Sequence, residues 1–164
     1  MANMYVMCGI SGSGKTTFSK EFAKKHKLKY IGIDDYYALI NGDECIHENT
    51  FDVWISVFHE LHEAEMNNIN CIVDTNCLTY AQRMQFIEWF PTFNHHLIYI
   101  SADTKLRTGN NLSRRRQVPD DKMYKMSIQL EIPTPKLDSN WDSIIHIINE
   151  DNTFSKPIIL KGEF

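Results

Sequence analysis

The feature that most constrains this chain is a glycine-rich segment between a short apolar run and an amphipathic helix. Residues 9–16 read GISGSGKT, which matches the pattern GxxxxGK[ST] in full. The preceding residues 4–8 are typical of a buried strand, and apolar residues recur at helical spacing from Lys15 onward. A strand, a curled loop and a helix in this order predict a phosphate-binding loop.

The residue types of this loop suit a nucleoside triphosphate. Glycines let the backbone curl so that successive N–H groups converge on phosphate oxygens, and the following helix adds its positive end. We expect Lys15 to act on the β- and γ-phosphates and the Thr16 hydroxyl to bind Mg²⁺. A simple glycine turn is the alternative, but it does not explain the Lys-Thr pair. The predicted donor is ATP with Mg²⁺, held by Gly9, Ser11, Gly12, Ser13, Gly14, Lys15, Thr16 and Thr17.

Short apolar runs alternate with helical patterns along the rest of the chain. The runs are at 4–8, 30–33, 71–73, 96–100 and 144–148, and helices are predicted from residue 15, from about 49 and over 79–89. Continuous apolar runs indicate a parallel sheet with both faces covered. The prediction is an α/β fold with five parallel strands and helices on both faces. It forms one domain over 1–164, with an extension at 151–164 that contains a strand near 158–160.

Charge, length and motif content narrow the class of protein. The net charge of −4 excludes a protein that coats nucleic acid by bulk positive charge. No NKxD segment is present to read a guanine base, and an AAA+ or helicase motor needs more chain than 164 residues. A small kinase remains. Such an enzyme needs a carboxylate near the incoming hydroxyl and a cation over the transferring phosphoryl group.

Acidic and polar residues follow the second and third predicted strands. The carboxyl ends of parallel strands meet at one edge of the sheet, where ligands bind. We expect Asp34 to be the general base for the acceptor hydroxyl and Asp35 to cap the next helix or lie near the metal and substrate. Asp74 either supports Mg²⁺ or forms an Asx turn. The predicted substrate-binding residues are Asp35, Asp74, Asn76 and Arg83.

Residues 104–125 carry seven basic side chains against two acidic ones. A solvated helix face is the usual explanation of such a run, but three adjacent arginines favour a lid that closes over phosphates. The lid is predicted over 104–118. We expect Arg114 and Arg116 to be its catalytic cations and Arg115 to bind the donor, although the sequence does not choose firmly among the three.

Other patterns bear on the location of the protein. No apolar run approaches the roughly 20 residues that a membrane span needs. The first residues lack the basic and apolar regions of a secretory signal. Four cysteines without CxxC spacing are typical of reduced thiols. We therefore expect a cytoplasmic protein with no membrane association and no obligate protein partner.

Over about residues 4–148 these motifs resemble the kinase domain of phage-type 5′-hydroxyl polynucleotide kinases. The resemblance rests on the loop at 9–16, on DDY at 34–36, DTN at 74–76, the arginines at 114–116 with VP at 118–119, and MY at 123–124. It implies that Asp34 is the base for a 5′-hydroxyl, that Lys15 and a lid arginine act on the phosphates, and that Thr16 binds the metal.

The sequence thus predicts a P-loop kinase fold and transfer of the ATP γ-phosphoryl group to the 5′-hydroxyl of DNA or RNA, as in nucleic acid repair. Two alternatives stay open. One is a kinase of a small metabolite, a nucleoside or a nucleoside monophosphate. The other is a non-catalytic nucleotide-binding module.

Overall fold

One or two helices separate each of the first four strands from the next, and two further strands follow the fifth. In the computed structural model the described residues are 1–43, 46, 48–114 and 117–163. The elements are β1 (Asn3–Cys8), α1 (Lys15–His26), β2 (Lys29–Gly32), α2 (Ile33–Asn41), α3 (Thr50–Met66), β3 (Cys71–Asp74), α4 (Tyr80–Trp89), β4 (Asn94–Ala102), α5 (Thr104–Leu112), α6 (Asp120–Gln129), β5 (Ser143–Glu150), β6 (Thr153–Phe154) and β7 (Ile158–Lys161).

The strands form one mixed sheet in the order β2-β3-β1-β4-β5-β6, and β7 also pairs with β5. All pairs among β1 to β5 are parallel, so the five predicted parallel strands are confirmed. Both β6 and β7 run antiparallel to β5. The extension at 151–164 therefore widens the sheet, and its strand at Ile158–Lys161 includes the predicted residues 158–160.

Both faces of the sheet carry an apolar core. Alternate residues of a strand point to opposite faces, and on β1 Val6 belongs to a core with α3 and α4 whereas Met7 belongs to a core with α1. The predicted covering of both faces is confirmed. This arrangement leaves the carboxyl ends of β1, β2 and β3 at one edge, where their connecting loops gather.

The second strand ends earlier than predicted. It stops at Gly32, and Ile33 begins α2, so Asp34 and Asp35 lie in the first turn of a helix. Carboxylates are favoured there because the helix dipole is positive at that end. The cap position is Gly32 and no side chain of the described residues bonds to this helix end, so the expected cap at Asp35 is wrong. In the described part of the chain, no helix is long and apolar enough to cross a membrane.

Helix α3 supplies a test of the core. Leu61 is 1% exposed against the sheet, whereas Met66 on the same helix is 72% exposed. Truncating a buried leucine removes contacts and leaves a cavity, so we expect Leu61→Ala to lower the free energy of unfolding by about 2–5 kcal/mol. Met66→Ala is the matched control and should change it little. Urea unfolding measures both variants, and equal losses would contradict the placement of α3.

Candidate active site

The loop between β1 and α1 curls tightly against its neighbours. Gly9, Gly12 and Gly14 have φ angles of 147°, 83° and 96°, a region that residues with a Cβ rarely adopt. A Cβ on Gly9 would lie 2.5 Å from the Ile100 carbonyl oxygen, and one on Gly12 would lie 2.5 Å from that of Arg107. Both the backbone angles and the lack of space therefore require glycine in this loop.

The polar atoms of the loop fit a phosphate group. The Ser13 hydroxyl is buried, and among the described residues it has no hydrogen-bond partner. The Lys15 ammonium donates to the Ile10 carbonyl of its own loop at 3.0 Å. Ser13 lines a different and smaller cavity from the one that Lys15 lines. A phosphate beside Lys15 would therefore take its other hydrogen bonds from backbone N–H groups, which a curled loop of this kind provides. Thr17, by contrast, is exposed and does not line the cavity described below.

The protonation of Lys15 depends on its burial and on the charged groups around it. The pKa of Lys15 is lowered to about 8, and burial is the largest cause. The nearby Arg114 also acts to lower this pKa, whereas the carboxylates of Asp74 and Asp34 act to raise it. These four charged groups thus act on one another. Additional negative charge, such as that of a triphosphate, would restore the preference of Lys15 for its charged form.

A cavity of about 770 Å³ opens beside the loop. Ser11, Lys15 and Thr16 line it from the loop and α1, Asp34 from α2, and Asp74 and Asn76 from the end of β3. The structure therefore brings together the predicted phosphate-binding residues and the predicted general base. Asn76 also fixes the loop, since its carbonyl accepts from the Gly9 N–H at 2.9 Å.

Oxygen atoms suitable for Mg²⁺ are present at this cavity. The Thr16 hydroxyl and the Asp74 carboxylate both line it, and Asp74 is oriented by the Tyr30 hydroxyl, which donates to its Oδ2 at 3.0 Å. Among the described residues no group of three or more metal-binding side chains occurs. These residues fit Mg²⁺, because this ion is commonly held by one or two protein oxygens together with phosphate oxygens.

Two of the predicted substrate-binding residues do not face the cavity. Asp35 is not among the residues that line the cavity, and its carboxylate lies beside Gly32 and Tyr30. Arg83 is fully buried. Its Nε and Nη2 donate to Asp138 at 2.6 and 3.1 Å, and its Nη1 donates to the carbonyls of Leu78 and Glu131. The prediction for Arg83 is wrong, because its guanidinium joins α4 to the segment before β5.

The predicted lid packs directly on the phosphate-binding loop. Asn110 on α5 donates to the Gly12 carbonyl at 3.0 Å. Buried Asn111 both donates to the Val118 carbonyl and accepts from its N–H, at 2.8 Å each. These bonds fix both ends of the segment that carries Arg114, which lines the cavity. Arg115 and Arg116 lie outside the described residues, so their roles stay predictions.

An aromatic surface also lines the cavity, although the sequence pattern of α3 favours core residues over a base-stacking platform. Trp54 and Phe58 of α3 and Trp89 of α4 line it, and the rings of Phe58 and Trp89 meet edge to face at 4.6 Å. We call these three residues the aromatic wall. The helical stripe on α3 predicts core residues, and Trp54 and Phe58 do pack on the core. Their position at the border of that stripe is the sequence feature that could have indicated contact with the cavity.

Comparisons with known proteins agree with this geometry. A family model described as "AAA domain" matches residues 4–133. An L-seryl-tRNA(Sec) kinase of Methanococcus maripaludis is 30% identical over 151 residues, which cover 85% of this chain and 56% of the relative. The chain thus spans little more than half the length of that relative.

Solved structures show the same fold. A sugar kinase from a Janibacter species superposes with a TM-score of 0.68 at 18% identity, and the match covers 90% of this chain and 86% of the sugar kinase chain. A chain of the Pnkp1/Rnl/Hen1 RNA repair complex superposes with a TM-score of 0.70 at 15% identity, and the match covers 99% of this chain and 50% of the chain in that complex. The predicted P-loop kinase fold is confirmed.

The description of the family model also bears on the sequence analysis. The length of the chain was the argument against an AAA+ or helicase motor, and a match to an AAA domain within residues 4–133 does not test whether the chain is a motor. That exclusion stays a prediction.

The buried ion pair gives a test of the role of Arg83. Removing one partner leaves the other charge buried without compensation, so Arg83→Met should lower the free energy of unfolding by about 3–5 kcal/mol. The double variant Arg83→Met/Asp138→Leu should recover most of this loss. Lys125→Met, which breaks an exposed pair with Asp121, is the control and should have little effect. An Arg83→Met protein of unchanged stability would contradict the structural role.

The lowered pKa of Lys15 predicts a pH effect on nucleotide binding. In the nucleotide-free protein Lys15 loses its charge as the pH rises through about 8. Since a triphosphate prefers the charged form, we expect ATP affinity to fall over this range and binding above it to take up a proton. Calorimetry in buffers of different ionisation enthalpy measures both effects. Lys15→Met should show no such uptake, and constant affinity in the unaltered protein would refute the assignment.

Proposed function

This chain is a member of the AAA domain family, and on that premise we propose that it is an ATP-dependent kinase for a small acceptor with a hydroxyl group. The observation that carries the proposal is that Lys15, Thr16 and Asp34 line one cavity. A triphosphate on the loop and a hydroxyl beside Asp34 would meet in this space, as in-line phosphoryl transfer requires.

Each charged residue of the cavity has a role in this reaction. The acceptor oxygen forms a bond to the γ-phosphorus, and the bond to the bridging oxygen of the departing ADP breaks. Asp34 aligns the hydroxyl and takes its proton. Lys15 and Arg114 offset the negative charge on the phosphate oxygens. Thr16 and Asp74 would hold Mg²⁺ together with the triphosphate, and the ion would supply further neutralisation of those oxygens.

The named functions of similar proteins support this class of reaction. One relative is an L-seryl-tRNA(Sec) kinase, and one structural neighbour is a sugar kinase. Seryl groups and sugars both carry alcohol hydroxyls. The acceptors differ in size, so these names support the transfer to an alcohol more than any particular acceptor.

A second candidate acceptor is the 5′-hydroxyl end of DNA or RNA. The motif resemblance favours it, and so does the likeness to a chain of an RNA repair complex along nearly the whole length of this protein. The charge of the cavity favours the small acceptor. Among the described lining residues the basic ones are Lys15, Arg114 and Lys122, and the first two are assigned to the donor. Of these described residues, Lys122 alone remains for the phosphates of a polynucleotide.

Asp34 is tested by Asp34→Asn, which keeps the shape of the side chain but removes its capacity to take a proton. We expect kcat to fall about 10²–10⁴-fold, with ATP affinity nearly unchanged. Asp52→Asn, on the exposed first turn of α3, is the control and should keep full activity. Full turnover by Asp34→Asn would contradict the proposed base. ATP binding by the unaltered protein without phosphoryl transfer to any acceptor would instead favour a non-catalytic nucleotide-binding module.

An acceptor panel at several salt concentrations separates the two candidates. Labelled ATP is incubated with 5′-hydroxyl DNA, 5′-hydroxyl RNA, nucleosides, nucleoside monophosphates and sugars. We expect label on small acceptors, with a weak dependence of KM on salt. A polynucleotide acceptor predicts instead that log affinity falls with log salt concentration by about 0.7 per phosphate contacted on a single strand. Label confined to DNA or RNA ends would overturn the proposal of a small acceptor but would still support kinase activity.

A further inference from the structure

We infer that the acceptor is a nucleoside, whose planar base stacks on the aromatic wall while its hydroxyl lies beside Asp34. This inference rests on the proposed function, because it assigns the acceptor side of the same cavity. Three observations carry it: the exposure of the wall, the distribution of charge around the cavity, and the amide side chains next to the wall.

The aromatic wall presents ring surface to the cavity. Trp54 and Phe58 are only partly buried, and Trp89 is 44% exposed. Phe58 anchors the group, since its ring also lies 5.5 Å from that of Phe90 in the core. Exposed tryptophan faces that are held in place by a packed neighbour suit the stacking of a flat ring, because little side-chain entropy is lost when the ring binds.

The charged and the aromatic lining residues of the cavity come from different elements. Lys15, Asp34, Asp74, Arg114 and Lys122 come from the loop and α1, α2, the end of β3, the lid and α6. The residues that α3 and α4 contribute are uncharged in this described part of the chain: Trp54, Phe58, Gln82, Gln85, Phe86 and Trp89. A ligand that suits both sets of residues has a reacting hydroxyl for the charged set and a neutral, largely apolar body for the aromatic set.

Polar groups beside the wall distinguish a base from a plain hydrocarbon ring. Gln82 and Gln85 of α4 line the cavity together with Trp89. Oε1 of Gln82 already accepts from the Thr79 N–H in the cap of α4, which leaves its amide NH₂ as a donor. The Gln85 carboxamide can both donate and accept hydrogen bonds, and such groups suit the polar edge of a nucleobase. A specific site for a small molecule needs a small number of precisely placed polar groups within an apolar pocket.

Tryptophan fluorescence tests this inference without turnover. The chain has three tryptophans, and the third, Trp141, is fully buried in the core. Emission changes on ligand addition therefore report on Trp54 and Trp89. The nucleotide-free protein is titrated with adenosine and uridine, and with ribose as the matched ligand that lacks a base. We expect saturable quenching by the nucleosides and none by ribose.

Variants locate the binding surface. Trp54→Leu and Trp89→Leu should each weaken nucleoside binding by roughly 5- to 150-fold, the effect of losing one stacking contact. Trp54→Phe keeps a ring and should recover much of the affinity, which guards against a folding defect in the leucine variant. Phe51→Leu, on the exposed side of α3, is the control and should bind as the unaltered protein does.

The outcomes separate this inference from the proposed function. The inference is overturned if nucleosides fail to quench the fluorescence, or if they bind the leucine variants as tightly as the unaltered protein. In either case, phosphorylation of any ring-free alcohol would still support the proposed kinase activity. Weaker binding of a non-hydrolysable ATP analogue to Trp54→Leu, by the same factor as nucleosides, also overturns the inference, because the wall would then hold the donor. Ring-dependent binding without phosphoryl transfer to any acceptor overturns the proposed function and leaves the base-stacking surface intact.

Discussion

The curled backbone of residues 9–14 is the constraint on which the rest of this structure depends. It leaves no space for a Cβ at Gly9 or Gly12, where the carbonyls of Ile100 and Arg107 approach. The loop therefore fixes the distance between β1, the end of β4 and the start of the lid. Because N–H groups converge only while the backbone stays curled, these contacts maintain the phosphate-binding geometry as well as the packing.

The charges around the cavity are incompletely balanced within the protein. Lys15 lies near two carboxylates, but burial and Arg114 outweigh them and lower its pKa. Such a site favours an anion, because a bound phosphate stabilises both cations at once. The neutral side chains on α3 and α4 have no comparable attraction for phosphate. The charged residues thus favour the phosphates of the donor, whereas the neutral residues of α3 and α4 favour the uncharged part of the acceptor.

Local patterns in the sequence were sufficient for the central sheet and the loop. Strands buried on both faces have continuous apolar runs, and the glycines with Lys15 and Thr16 specify their own conformation. Asp34 was predicted beside the donor and lines the cavity, even though its backbone is helical and not part of a loop. Topology places the carboxyl end of β2 at this edge whatever conformation follows.

Contacts between distant parts of the chain were not predictable in this way. Arg83 pairs with Asp138, 55 positions away, and nothing in the local sequence of α4 distinguishes such an arginine from one that faces a ligand. Trp54 and Phe58 both pack on the core and face the cavity, whereas periodicity reports only the first property. The role of a side chain that contacts both the core and a cavity can therefore be assigned only from the tertiary structure.

Strand β5 and the turn after it close the phosphate-binding loop from behind. Buried Asn149 donates to the Ser13 carbonyl at 2.9 Å, across 136 positions of the chain. A Cβ on Gly14 would meet both Asn149 and the ring of Phe154, and that ring also packs edge to face on Phe18 of α1. The shape of the loop at 9–14 consequently depends on contacts with residues as far as 136 positions further along the chain. Because contacts between such distant positions carry a cost in chain entropy that local contacts do not, the phosphate-binding geometry is coupled to completion of the sheet.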